Sequence, residues 1–152
     1  MPTLNNKTFI REAIKLATQA RQHGNHPFGA LLVHDGNVIL IAENTVNTDR
    51  DQTRHAELNL VSMAARQFDA EILSNTILYT STEPCAMCAG AIYWTGIRTV
   101  VYGCSAELLG AIAEGGLVIP CREIFARGTE VIEVIGPILE DEAQKVHEGF
   151  WA

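Results

Sequence analysis

Thr76-Ile77-Leu78-Tyr79-Thr80-Ser81, followed by Thr82-Glu83-Pro84-Cys85-Ala86-Met87-Cys88, carries the chain out of one regular element and into another. The stretch from Thr76 to Ser81 is short, mostly apolar and rich in β-branched and aromatic residues, which predicts a strand. It runs into a helix expected from Cys85 to about Trp94. On a helix, Cys85 and Cys88 share a face and can grip one ion, because residues three apart are neighbours. Pro84 stands just ahead, where proline is favoured, and the exposed N–H groups of a first helical turn stabilise thiolates.

Thirty positions upstream, His55-Ala56-Glu57 opens another helix, predicted through Leu58, Val61, Ala64 and Ala65 to about Phe68. Two positions on a regular helix point about 200° apart, so His55 and Glu57 reach one site only if one of them leaves the helix. His55 is therefore expected at the cap with non-helical dihedrals, and Glu57 in the first turn. Nearer the N-terminus, Ala30 to Val33 and Val38 to Ala42 read as strands joined through His34-Asp35-Gly36-Asn37, in which Asp-Gly is a strong turn pair. Phe9, Ala13, Leu16, Ala17 and Ala20 repeat at helical spacing and mark an opening amphipathic helix that ends near Gly24 and Pro27. Downstream, Arg98 to Tyr102 and Val131 to Ile135 read as strands, and Leu139 to Phe150 as a closing amphipathic helix. Strands alternating with helices imply a layered α/β domain, with both histidine and cysteine segments at one edge of the sheet.

The residue types point to zinc. Imidazole and thiolate are good zinc ligands, and three protein ligands leave a fourth tetrahedral position for water, whose pKa the metal lowers toward about 7. His55, Cys85 and Cys88 make three, and Glu57 is left as a carboxylate that moves protons without occupying the metal. Alone, Cys-x-x-Cys also suits a redox pair or half of a structural zinc site. Cys104 and Cys121 lack a paired cysteine, so a zinc ribbon does not fit, and they read as buried thiols. His-x-Glu together with Pro-Cys-x-x-Cys is the signature of zinc deaminases.

A chain of 152 residues with 47% hydrophobic content is read as one domain, 1–152, with no linker, repeat or low-complexity segment. Its apolar runs, such as Val38 to Ala42, fall far short of a membrane span, and no basic-then-apolar leader is seen. Four cysteines, two of them required as thiolates, suit a reducing interior, so a cytoplasmic protein is expected. Eleven basic residues against eighteen acidic ones leave a net charge of −7, the opposite of a nucleic-acid footprint. Lys7, Arg11 and Lys15 recur at four-residue spacing, but Glu12 and neutral neighbours make them a solvated face. A small-molecule substrate is expected, and nucleic acid and membrane are not.

Taken together, Pro27-Phe28-Gly29-Ala30, Asn44, His55-Ala56-Glu57, Ile77 to Ser81, Glu83-Pro84-Cys85 and Gly90-Ala91-Ile92-Tyr93-Trp94 resemble the cytidine and deoxycytidylate deaminase superfamily. The nearest resemblance is to small bacterial guanine deaminases. It implies a three-layer α/β/α fold with a five-stranded mixed sheet, a homodimer, and one zinc ion held by His55, Cys85 and Cys88. Glu57 would be the proton shuttle. Asn44 would hydrogen-bond the substrate, Ala56 would lie against it, and Phe28 and Trp94 would wall the slot for the base. Two stretches depart from the guanine deaminase pattern. Ala111-Ile112-Ala113-Glu114-Gly115-Gly116 replaces a segment with a second acidic group, for which Glu114 is the stand-in, and Gln52-Thr53-Arg54 replaces small residues before the ligand histidine. Arg54 is thus a candidate substrate contact or a solvated arginine. Phe150-Trp151 either close the site or pack as core.

The activity expected is hydrolytic release of ammonia from a free nucleobase or nucleoside, guanine-type first. Deamination of cytosine or another pyrimidine, editing of tRNA adenosine, and a non-catalytic zinc module are the alternatives.

Overall fold

The computed structural model describes residues 2–151, with side chains from residue 5 onward. The opening helix, α1 (Pro2–Gln22), buries Ile10, Ala13, Leu16, Ala17 and Ala20 along one face, as the spacing predicts. It lies directly on β1 (Gly29–His34). A Cβ at Gly29 would sit 2.5 Å from Leu16 Cβ and 2.6 Å from the Ala13 carbonyl oxygen, so only glycine lets helix and strand approach this closely. β2 (Asn37–Glu43) pairs antiparallel with β1 through a two-residue turn, in which Asp35 and Gly36 take φ of 51° and 77°. Positive φ at both central residues suits the right-handed twist of a hairpin.

β3 (Ile77–Thr82) pairs antiparallel with β1, and β4 (Thr99–Cys104) and β5 (Glu133–Ile135) follow in parallel, giving the order β2-β1-β3-β4-β5. This is the five-stranded mixed sheet that the resemblance implied. Successive side chains alternate between its faces. Ala30, Leu32, Leu78 and Val100 meet α3 (Ala56–Gln67), α5 (Ala86–Thr95) and α7 (Cys121–Phe125) on one side, while Leu31, Val33, Tyr79 and Val101 meet α1 on the other. The three layers follow from that alternation.

Four short helices escaped the sequence reading: α2 (Val46–Asp49), α4 (Ala70–Ser74), α6 (Ala106–Ile112) and α7. One or two turns are too brief for an apolar repeat to show. Caps were nevertheless present, since Asp69 accepts from the Ile72 N–H and Ser105 from the Leu108 N–H.

The C-terminal helix is a correction. α8 spans only Glu140–Lys145, not Leu139 to Phe150. Beyond it the chain tightens into i to i−3 bonds, His147 to Gln144, Glu148 to Lys145 and Phe150 to His147, and turns at Gly149, whose φ is 71°. The Arg21 guanidinium holds the turned segment by donating to the carbonyls of Val146 at 2.9 Å and Glu148 at 2.6 Å. The fifth strand is likewise shorter than predicted. Pairing starts at Thr99 with Glu133, and Val131 is left 85% exposed. Among the described residues no helix is long and apolar enough to cross a membrane.

Candidate active site

β3 and its parallel neighbour β4 end on the same edge of the sheet, and there the two motifs meet. His55 is the N-cap of α3, with extended φ and ψ of −69° and 155°, while Glu57 lies in that helix's first turn. This departure from regular helix is the one predicted, and it lets both residues face one place. Cys85 is the N-cap of α5 and Cys88 lies in its first turn, with Pro84 just outside.

Three donor atoms, His55 Nδ1 and the Sγ atoms of Cys85 and Cys88, lie within 4.8 Å of one another. Zinc bonds of about 2.3 Å to sulfur and about 2.1 Å to nitrogen, set at a tetrahedral angle, put such atoms about 3.6 Å apart. Here His55 Nδ1 is 3.5 Å from Cys85 Sγ and 3.6 Å from Cys88 Sγ. The donor set therefore fits zinc in spacing as well as in chemistry. The His55 side chain also bonds the main chain at Gln52, which fixes the ring's orientation. Within the cluster, the hydrogen bond from Cys88, and after it that from His55, holds the Cys85 thiol down to about 4, while the same contact and burial push Cys88 upward.

Glu57 is 4% exposed, and burial, reinforced by Cys85, pushes its carboxyl up to about 7. Thr80 Oγ1 lies 3.1 Å from Glu57 Oε2 and 2.9 Å from the Thr82 carbonyl oxygen. A hydroxyl has one hydrogen and two lone pairs. Thr80 can donate to an ionised Glu57, or accept from a protonated one while donating to Thr82, so it steadies the carboxyl in either state.

These groups open onto a cavity of ≈ 420 Å³. Its wall is mainly apolar, from Phe28, Met87, Leu109, Leu117, Val118 and Trp151, with Gln52, Glu57 and Glu83 as polar groups beside His55 and Cys85. Among the described residues no lysine or arginine lines it. The sequence reading had Phe28 among these residues and left Trp151 open between lid and core. It missed Glu83, Leu109, Leu117 and Val118, and within the 111–116 segment it named Glu114 where Ala113, Gly115 and Gly116 line the wall, although Glu83 stands two residues before Cys85.

Other expected contacts lie elsewhere. Trp94 is 85% exposed and outside the cavity wall, because the buried face of α5 runs through Cys88, Ala89 and Ile92, and two residues beyond Ile92 a helix points the opposite way. Arg54 is turned to a separate surface depression, where Asp51 Oδ2 lies 3.3 Å from its Nε and Asn59 Oδ1 accepts from its Nη1 at 3.4 Å. Glu114 is exposed at a left-handed φ of 58°, and its neighbours Ala113, Gly115 and Gly116 line the cavity instead. Ala56 is fully buried in the core under α3 and is not part of the wall. Asn44 is buried, with its Oδ1 accepting from the Val46 N–H at 3.0 Å and its Nδ2 without a partner among the described residues. It joins its main chain to Phe28, whose carbonyl accepts the Asn44 N–H.

The C-terminal turn supplies the far wall. Trp151 Nε1–H donates to His147 Nδ1 at 3.0 Å, so the ring's hydrogen sits on Nε2 and faces Thr82 Oγ1, also at 3.0 Å. Burial, with Arg21 adding to it, pushes His147 down to about 4. An unfolded chain takes up this proton near pH 6.5 and the folded one only near 4. Between those values the unfolded state binds more protons, so the stabilisation is full above about pH 6.5 and falls as pH drops, by about 3 kcal/mol in all. Urea titrations at pH 7 and 4.5 are expected to show this loss, and His147→Gln to shrink the difference between them.

Residues 4–104 match the family described as the cytidine and deoxycytidylate deaminase zinc-binding region. The chain belongs to that family. The deaminase is 45% identical over 149 residues to a "Probable cytosine deaminase" of Schizosaccharomyces pombe, covering 94% of this chain and 90% of that protein. It is 43% identical over 100 residues to the guanine deaminase of Bacillus subtilis, covering 65% of this chain and 64% of the relative. In three dimensions it resembles the guanine deaminase from Nitrosomonas europaea, with 28% identity, a TM-score of 0.79, and coverage of 93% of this chain and 81% of that one. The family's members are zinc-dependent hydrolases of C–N bonds, and the His55, Cys85 and Cys88 cluster is the metal site such an enzyme needs.

Proposed function

We propose that this deaminase converts a free nucleobase to its oxo product and ammonia, with cytosine the first substrate and guanine the second. The observation that carries the free-base reading is the cavity itself. Its apolar walls, with no lysine or arginine among the described lining residues, suit a flat uncharged ring and give a phosphate no basic side chain to pair with. Cytosine comes first because similarity to the S. pombe protein spans 94% of this chain, whereas similarity to the B. subtilis guanine deaminase covers 65% of it. Guanine is kept second by the fold shared with the N. europaea enzyme and by the motifs quoted above.

Zinc, when bound by His55, Cys85 and Cys88, supplies an activated water at neutral pH. Glu57 moves the protons: its carboxylate takes one from the water, delivers it to the ring nitrogen, and a second transfer through the same Oε atoms releases the amine as ammonia. Thr80 keeps that carboxyl in place through both states. Phe28 and Trp151, whose ring centroids lie 6.0 Å apart, form one aromatic wall against which the base lies. Ammonia release from cytosine, guanine, cytidine, guanosine, adenine, adenosine and a tRNA anticodon stem-loop tests the reading. Turnover of a free base, at least about tenfold faster than of its nucleoside, is expected. Turnover of the stem-loop alone overturns it.

The chain is also proposed to act as a homodimer. Support comes from α5, which leaves the large apolar side chain of Trp94 85% exposed away from its packed face. Sedimentation equilibrium is expected to give twice the 16.6 kDa chain mass, and a single-chain mass at micromolar concentration removes the proposal.

A further inference from the structure

After β4 the chain runs out over the cavity and back again before α7. Leu109, Gly110, Ala113, Leu117 and Val118 of this excursion form much of the cavity roof. Among the described residues, the stretch 111–119 makes hydrogen bonds only back to α6, as in Ala113 N–H to Leu109 and Gly115 N–H to Gly110. Leu117 is 70% exposed, so little apolar packing holds it down. The height of the roof therefore depends on how its two ends are fastened.

One side chain fastens both. The Glu83 carboxylate, 7% exposed, accepts through Oε1 from the Ala106 N–H at 2.8 Å and through Oε2 from the Cys121 N–H at 2.7 Å. Ala106 is the first residue of α6 and Cys121 the first of α7. The Glu83 N–H donates to the Cys104 carbonyl at 2.7 Å, which extends the β3–β4 pairing past Thr82 and anchors the residue itself. Two residues later the chain reaches Cys85. Ser105 is separately secured, its N–H donating to Glu140 Oε2 at 2.8 Å, but that bond reaches only the α6 end.

We propose that Glu83 is a positioning residue for substrate binding: it ties both ends of the 106–121 roof to the strand end that leads into the zinc ligands, and so sets the gap in which the ring lies. This rests on reading the cavity as the base site. A carboxylate suits the task because both partners are N–H donors and it offers two acceptor oxygens. A carboxamide must turn its own NH₂ toward one of them. Glu83→Gln therefore removes one fastening with almost no change of volume.

Amide hydrogen exchange of the zinc-loaded protein tests the tether without any substrate. In the wild type, the amides of Ala106 and Cys121 are expected to show protection within about threefold of each other, because they share one opening event. In Glu83→Gln, at least one of the two is expected to exchange about tenfold faster or more, with zinc unchanged at one per chain. For whichever base the wild type deaminates, KM is expected to rise about tenfold while kcat falls less than about threefold. Leu117→Ala, which trims the roof itself, should raise KM too, and the double variant should fall short of the product of the two effects. Unmatched protection in the wild type, unaltered exchange in the variant, loss of zinc, or fully multiplicative KM effects would each overturn the proposal. Absence of turnover with every base overturns instead the reading of the cavity, and the wild-type exchange pattern tells the two failures apart.

Discussion

Glu57→Gln is expected to lower kcat for ammonia release by about a thousandfold, with one zinc still bound per chain and KM little changed. Every proton in the proposed reaction passes through this carboxyl, and a carboxamide of the same shape can carry none. The site contains no substitute. Glu83, the other carboxylate in the cavity wall, has both oxygens committed to the amides of Ala106 and Cys121. Thr80 is positioned to orient Glu57, not to replace it, since a hydroxyl is far too weak an acid and base at neutral pH. Zinc content by mass spectrometry and ammonia release by a coupled assay decide the matter together. Wild-type kcat in the variant would remove Glu57 from the reaction.

Cys88→Ala is expected to abolish zinc binding and activity together, whereas Cys104→Ala and Cys121→Ala keep zinc at one per chain. All three thiols are fully buried, so burial does not distinguish them. Geometry does, because only Cys88 stands within the 4.8 Å cluster formed with His55 and Cys85. Two remaining ligands cannot hold the ion in a tetrahedral frame against solvent or a chelator. The Cys104 thiol, pushed up to about 12, and the Cys121 thiol, also pushed well upward, both chiefly by burial, are neutral and behave as small apolar groups. Their truncation is expected to cost about 1 kcal/mol of stability without touching the metal. Metal analysis after dialysis against a mild chelator, with thermal melting alongside, checks both halves.

The legibility of this protein follows the range of the interactions involved. The Asp35-Gly36 hairpin, the face of α1 and the His55 cap were readable because each depends on residues within about one or two turns of chain. The zinc ligands were readable for the same reason: Cys85 and Cys88 lie within one helical turn, and the half-site at His55 announces itself by residue type. α2, α4, α6 and α7 were not, since helices of four to seven residues carry no repeat and are held by what they pack on. The C-terminal residues have helical spacing up to Phe150, yet Arg21, on a helix at the other end of the chain, captures the carbonyls of Val146 and Glu148 and bends them into turns.

Cavity-lining residues divide along the same line. Phe28 lies in the cavity wall, whereas Trp94 and Arg54 point away from it. Their orientation is set by which face of α5 meets the sheet and by the competing partners Asp51 and Asn59. The amino-acid order alone carried the metal-donor cluster, the carboxylate beside it and the class of reaction, because those need only a few chemically distinctive groups at short spacing. The shape of the cavity was decided in three dimensions. Glu83, Leu109, Leu117, Val118 and Trp151 come from separate stretches of chain, and no local pattern marks them as neighbours until the parallel pairing of β3 and β4 and the turn held by Arg21 bring them to one edge of the sheet.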